Sequence, residues 1–300
     1  MNSNDMEKIN LLVLESLNKG DFSSAQRLFR QNAKGNPCHK TLNNLGCFYA
    51  NEGLELPNGR VRGAIKLGYK YLNLAEQCFQ SHKNLSAIGD IHFSWKDYVL
   101  AANYFKRSYN LQDNYLYANN YAASEYMQGN YMKASKYFKT AFDSCNNSDD
   151  RFEIYISYAY ALIKVDMEKC LKIVHDAIES YDSYHMEMDE FILAYFCEDF
   201  IFAASLIKRM FDYWSIDDHV LAMVFECLFK LNRGEEANEF LQLQIKSLQG
   251  YDYNTNKRVK SAKLMFSNAE YRKSLISEYK YIAPIIKGCY YIDCALHNQF

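Results

Sequence analysis

The chain has 300 residues, 49% of them apolar and 23% charged, with a formal net charge of −2. That balance removes global basicity as a reason to expect nucleic acid. Three prolines and twelve glycines argue against a sheet-rich or disordered chain.

Tyrosine and phenylalanine stand out, with 26 and 19 copies. Such rings bury large area, and tyrosine keeps a polar end for the edge of a core. The opening Met1-Asn2-Ser3-Asn4-Asp5 lacks the basic, then apolar, then small pattern of a secretory leader. No apolar run approaches bilayer length. The nine cysteines are scattered, odd in number and without a CxxC pair. They fit a reducing, cytoplasmic setting in which thiols act as small hydrophobes.

In chain order, a first helix begins near Asp5, with Ile9, Leu12, Val13 and Ser16 on one face. Gly20-Asp21-Phe22 turns into a second helix carrying Ala25, Leu28 and Phe29. The next hairpin opens at His39–Thr41 with an inner stripe of Leu42, Leu45, Gly46 and Tyr49; Gly46 stands where a neighbouring helix must come close. Asn51-Glu52-Gly53 and Pro57-Asn58-Gly59 are turn signals, and residues 52–62 are expected to be an insertion or long loop. Helix resumes from Val61 to Phe79, with Leu72, Ala75 and Phe79 facing inward.

Two hairpins are clearest. Leu85, Ile88, Gly89 and His92 precede Lys96-Asp97-Tyr98, Ala101 and Phe105; Ala118, Tyr121 and Ala122 precede Gly129-Asn130-Tyr131, Ala134 and Phe138. A fifth unit sets Ile154, Tyr158 and Ala161 before Met167, Cys170, Val174 and Ala177. After a break at Tyr181–Tyr184, Phe191 to Phe211 reads as a buried pair of short helices or one bent helix. Leu221, Val224, Phe225 and Leu228 then precede Asn232-Arg233-Gly234, Ala237 and Leu241, and a last pair covers Val259–Glu278 and Tyr281–His297. Units of about 34 residues built this way stack into a solenoid. The expected organisation is repeats over 1–180, then divergent helical repeats and C-terminal capping helices over 181–300.

The turn pair, aromatic, alanine and phenylalanine pattern resembles the tetratricopeptide repeat family. Asn44-Leu45-Gly46-Cys47-Phe48-Tyr49 has a local likeness to the related Sel1-like repeat. The resemblance implies an all-α, right-handed superhelical solenoid of antiparallel helix hairpins. It also implies a partner-binding role, since known members are chiefly scaffolds and several bacterial ones are peptide-responsive regulators. Some members clamp a C-terminal carboxylate with lysine and asparagine on successive first helices. Asn44, Asn120 and Lys83 stand at matching places, while Asn10 and Ala87 stand where that clamp carries charge.

No nucleophile motif, P-loop or dinucleotide fingerprint is present. No catalytic residue, cofactor or metal is expected, and the chain reads as a non-enzyme. His92 reads as a satisfied core histidine. His185 with Glu187, Asp189 and Glu190 is the one dense His/carboxylate cluster, without a metal-ligand spacing. Acidic residues gather between 166 and 199, and basic ones (Lys257, Arg258, Lys260, Lys263, Arg272, Lys273, Lys280, Lys287) near the end. That asymmetry orients a dimer, seats a charged partner or forms a solvated helical face. Nucleic acid is an unlikely partner because no recognition module accompanies the patch.

The concave groove is the favoured site. The first helices offer Lys40, Asn43 and Asn44; Lys83, Asp90 and Phe93; Asn119, Asn120, Tyr126 and Met127; and Tyr155. Asparagines there pair with a ligand backbone while aromatics and methionine take its side chains. The expected function is a non-catalytic scaffold or adaptor holding a protein or peptide. A peptide-responsive regulator acting on a DNA-associated partner, a self-assembling subunit with a homodimer through the aromatic terminal helix, and a divergent enzyme are the alternatives.

Overall fold

The computed structural model describes residues 3–53, 55–57, 59–180, 186–211, 217–248, 255–279 and 286. Among the described residues the chain forms sixteen α-helices and no strand. They follow one another as α1 (Ser3–Asn18), α2 (Phe22–Gly35), α3 (His39–Asn51), α4 (Val61–Cys78), α5 (His82–Ser94), α6 (Tyr98–Leu111), α7 (Tyr115–Met127) and α8 (Tyr131–Ser144). Then come α9 (Ser148–Ile163), α10 (Met167–Ser180), α11 (Met186–Phe196), α12 (Phe200–Phe211), α13 (Asp218–Lys230), α14 (Gly234–Leu248), α15 (Thr255–Ser267) and α16 (Ala269–Glu278). Contacts divide the chain into two units, Met1–Tyr155 with Pro284–Phe300, and Ile156–Ala283, so the boundary falls inside α9.

One turn recurs in both units. Gly20 and Gly129 hold φ of +69° and +82°, and Lys96, Glu198 and Asn232 hold +63°, +62° and +58°. The next backbone N–H reaches back five residues: Asp21 to the Ser16 carbonyl (2.9 Å), Asp97 to His92 (2.9 Å), Asn130 to Glu125 (2.9 Å), Asp199 to Ala194 (3.0 Å) and Arg233 to Leu228 (2.8 Å). This closes the end of the inner helix with a left-handed residue. The carboxylates of Asp21, Asp97 and Asp199 then accept from the backbone N–H of Ser24 (3.0 Å), Leu100 (3.3 Å) and Phe202 (3.1 Å), capping the outer helix. The same residues thus stop one helix and start the next, and so short a link makes the two antiparallel neighbours. Asn130 departs from this: its Nδ2 donates to Glu125 Oε2 at 2.8 Å, and Lys133 Nζ donates to Glu125 Oε1 at 2.6 Å.

Four positions after the turn, Ala25, Ala101, Ala134, Cys170, Ala203 and Ala237 are all wholly buried. Four further on, Phe29, Phe105, Phe138, Val174, Ile207 and Leu241 fill the space between helices. At three glycines on α3, α4 and α5 the close approach is sharper. A Cβ on Gly46 would stand 2.7 Å from Leu72 Cγ, one on Gly68 2.8 Å from the Gly46 carbonyl oxygen, and one on Gly89 2.7 Å from the Phe105 ring. The hairpin predicted only as a buried pair or one bent helix is the pair α11 and α12, and it carries the same device in Glu198-Asp199-Phe200, Ala203 and Ile207.

Two residues expected in the core lie outside it. Leu12 is 42% exposed, and Val13 holds the face instead, with Ile9, Leu14 and Leu17 packed around it. Phe79 is 58% exposed because α4 ends at Cys78, which leaves its ring against His39 at 4.9 Å. Arg272, expected within a basic stretch open to a partner or to solvent, is buried. It occupies the small-residue position of α16, four after the Asn268 cap. Its Nε donates to Glu226 Oε2 (3.1 Å) and its Nη1 to the carbonyls of Met265 (2.9 Å) and Phe266 (3.1 Å), over the Phe229 ring. Accordingly α16 packs on α13 as well as on α15, closing this end of the second unit with a paired charge instead of an alanine.

A lysine with positive φ is strained by its Cβ, whereas glycine is not. Lys96→Gly therefore raises unfolding stability by about 1 kcal/mol and Gly129→Ala lowers it by about the same, read as opposite shifts of the urea midpoint. Unchanged midpoints for both would contradict the strain.

Candidate peptide-binding wall

The inner helices of the first unit share one register. Asn43, Ser86 and Asn119 each stand three residues before the close-contact residue, which is Gly46, Gly89 or Ala122. Lys40, Lys83 and Leu116 lie three before that row, Cys47, Asp90 and Ala123 four after it, and Ala50, Phe93 and Tyr126 seven after it. Such spacing places them on one face of each helix, and stacking the hairpins lines these faces up.

This wall is largely enclosed. Asn43, Asn44, Asn119, Asn120, Tyr126 and Tyr155 are buried, with Asn120 at 0% exposure. Lys83, Asp90, Phe93 and Met127 are half-buried, and Lys40 is exposed. Helix α7 is buried without a break from Leu116 to Tyr126, whereas its hairpin partner α8 buries only Ala134, Ser135, Phe138 and Ala141. An outer helix is amphipathic; an inner one is enclosed all round.

Several of these groups support the fold. Asn119 Nδ2 donates to Asn120 Oδ1 (3.3 Å), and Ser124 Oγ to the Asn120 carbonyl (3.0 Å). Tyr126 meets Tyr131 edge-on with ring centroids 5.3 Å apart, and Phe93 meets Tyr98 edge-on at 5.1 Å. Asn84, wholly buried, donates from Nδ2 to the Leu72 carbonyl (3.1 Å) and ties α5 to α4.

Other groups on the wall are enclosed without a hydrogen bond: Asn43 Oδ1, Ser86 Oγ and Asp90 Oδ1. Ser86 was not among the residues picked from sequence, yet its register with Asn43 and Asn119 was the signal that marks it. Burial pushes the Asp90 carboxyl well above the usual carboxylate range. His92, one turn from the wall, stacks on Tyr104 at 5.4 Å and meets Tyr69 and Trp95 edge-on at 5.5 and 5.7 Å. Contrary to the expectation of a satisfied core histidine, neither of its ring nitrogens makes a hydrogen bond. Burial lowers its pKa, against the pull of Asp97 at 3.6 Å.

At the start of α3 and α5 the wall opens into a cleft of about 350 Å³ lined by His39, Lys40, Asn43, His82 and Lys83, with Phe79 at its side. His82 Nδ1 is 2.7 Å from the Tyr117 hydroxyl, and its carbonyl accepts from Ser108 Oγ at 2.7 Å. The cleft brings together the two predicted lysines and one predicted asparagine.

Among the described residues no grouping of His, Cys, Asp and Glu is placed to hold a metal, and no helix is long and apolar enough to cross a membrane. The described cysteines are free thiols. His185 lies outside the described residues, as does the aromatic terminal helix expected over Tyr281–His297 apart from Ile286.

The raised Asp90 carboxyl binds its proton more tightly in the folded chain than in the unfolded one. Stability from this group is therefore full below about pH 4 and falls as pH rises through the folded pKa. Asp90→Asn does not titrate, so its advantage over the unsubstituted chain is smallest near pH 3 and grows toward pH 7, as about those two values bracket the ordinary carboxylate. Urea midpoints at both pH values check this; a constant difference would contradict it.

No known family model matches the sequence, and no curated protein matches it. Solved structures do resemble it. A tetratricopeptide repeat protein from Parabacteroides merdae ATCC 43184 shares 14% identity over 92% of this chain and 98% of that one, with a TM-score of 0.57. Yeast Tom70 shares 18% identity over 92% of this chain and 66% of its own, at 0.45. The Naa15/Naa10 structure bound to HypK-THB shares 16% over 92% of this chain and 41% of its own, at 0.41. The sixteen helices, their recurring turn and the first of these likenesses give the chain the all-α helical-repeat solenoid fold of tetratricopeptide repeat proteins.

Proposed function

We propose that the chain is a non-catalytic scaffold whose first unit holds an extended segment of a partner protein against the inner faces of α3, α5 and α7. The observation that carries this reading is the set of enclosed, unpaired polar atoms on that wall, Asn43 Oδ1, Ser86 Oγ and Asp90 Oδ1. A buried polar atom without a partner costs about 1–3 kcal/mol, and an extended peptide presents a backbone donor or acceptor at every residue. Around these atoms lie groups a ligand's side chains reach: Lys40 and Lys83 in the cleft, and half-buried Phe93 and Met127. Lysines there favour a segment bearing a carboxylate.

The reading needs no nucleophile or base. Its most direct test uses reachable residues and leaves fully enclosed ones such as Asn120 alone. Lys40→Glu/Lys83→Glu/Met127→Ser is compared with Met132→Ser, an outer-helix control 74% exposed on α8. Partners captured from native lysate are expected to fall at least about tenfold with the triple variant, the size of effect produced by losing about 1.4 kcal/mol of binding, and to persist with the control. The same partners at the same yield from both would remove the wall from the account.

A further inference from the structure

The insertion between α3 and α4 shapes a second cavity in the first unit. The Glu55 N–H donates to the Glu52 carbonyl at 3.1 Å and the Gly59 N–H to the Leu56 carbonyl at 2.7 Å, so the loop folds through two turns. Its start is held tightly on α4, where a Cβ on Gly53 would stand 2.6 Å from the Ala64 Cβ. Between this loop, α2, α3 and the first turns of α4 lies a cavity of about 480 Å³, within the range of about 300–1,000 Å³ common to small-molecule sites. It shares no residue with the wall of α3, α5 and α7.

The lining is apolar with a few polar groups. Leu56, Pro57, Ala64 and Leu67 supply the apolar surface. Tyr49 also lines the cavity, and its ring is fixed by stacking on Tyr71 at 5.9 Å and by Phe48 edge-on at 5.7 Å. Tyr49 is only 5% exposed, and Gln26 Nε2 donates to its hydroxyl at 3.1 Å. The hydroxyl's own proton is therefore left for an acceptor. Arg60 completes the set, and its guanidinium forms no ion pair with any described residue. It stands at the N-cap of α4, which has neither a side-chain cap nor an acid in its first turn. A cation at the positive end of a helix is unfavourable until an anion joins it.

We propose that this cavity binds a small amphipathic carboxylic acid, with an aliphatic or single-ring body against Leu56, Pro57 and Leu67 and its carboxylate held by Arg60 and the Tyr49 hydroxyl. Among the described residues one cation lines the cavity, which matches a single negative charge. A phosphate monoester carries about −1.5 to −2 and leaves an excess. The planar guanidinium takes both oxygens of a carboxylate at once, and the tyrosine proton adds a third hydrogen bond. The site is independent of the scaffold reading and needs no partner protein.

The test is a fluorine NMR titration of full-length protein with para-fluorophenylpropionate, its neutral amide and para-fluorophenethyl phosphate. Circular dichroism melts confirm that every form compared is folded. The unsubstituted chain is expected to bind the acid with a Kd below about 1 mM. The amide, and the acid with Arg60→Gln, are each expected to bind at least about tenfold more weakly, and the acid with Tyr49→Phe about threefold more weakly, as lost charged and neutral hydrogen bonds dictate. A Cβ on Gly63, which lines the cavity, meets nothing within 4 Å, so Gly63→Phe is accommodated and should abolish binding. Lys40→Glu/Lys83→Glu should leave it unchanged. The assignment is overturned by absence of binding to the unsubstituted chain at about 1 mM acid, by binding that survives Gly63→Phe, or by indifference to Arg60→Gln or Tyr49→Phe. Equal affinity for acid and amide, tighter binding of the phosphate, or loss with the lysine variant, which would move the acid to the wall, overturns it as well.

Discussion

The structure depends on how closely two antiparallel helices approach at their small residues. At Gly46, Gly68 and Gly89 there is no room for a methyl group: the nearest atoms would lie 2.7–2.8 Å from the added carbon. Ala25, Ala101, Ala134, Ala203 and Ala237 set the same spacing on outer helices. Once the backbones are that close, a single large side chain per hairpin fills the remaining volume at crystal-like density. Each hairpin still leaves an apolar face uncovered, which the next one buries, so the array is stabilised by nearest neighbours.

The turns enforce the direction in which that stacking proceeds. Five of them place a left-handed residue before a cap, and three do so without glycine. The strain at Lys96 and Glu198 is offset by backbone hydrogen bonds that run five residues back and by the carboxylates of Asp97 and Asp199. Where the cap is Asn130, the side chain turns instead to Glu125. Burial works to raise the Glu125 pKa, but hydrogen bonds from Lys133 and Asn130 outweigh it and leave the carboxyl below its usual value. The same loop geometry is thus reached with different chemistry.

The hairpins were legible because alanine, phenylalanine and the cap repeat at fixed offsets, and those offsets are local. What escaped was set by the surroundings. Leu12 fits a helical face in sequence but faces outward because Val13 and Leu17 point to α2 and α3. Phe79 fits the template but falls one residue past the end of its helix. Arg272 looked like one of a basic series, and only the packing of α16 on α13 shows it paired with Glu226. Among the wall residues, side-chain type and spacing gave the face, including Asn43, Lys83 and Phe93. Their degree of enclosure was not written locally, because it depends on what lies across the wall and not on the helix that carries them.

Hydrogen exchange on Gly89→Leu tests the close-approach constraint most directly. The larger side chain cannot coexist with the Phe105 ring, so protection is predicted to fall in α5 and α6 and in their neighbours α4 and α7, while α13 to α16 keep theirs. Undiminished protection in α5 and α6 would show that small residues do not set the helix spacing and would contradict the account.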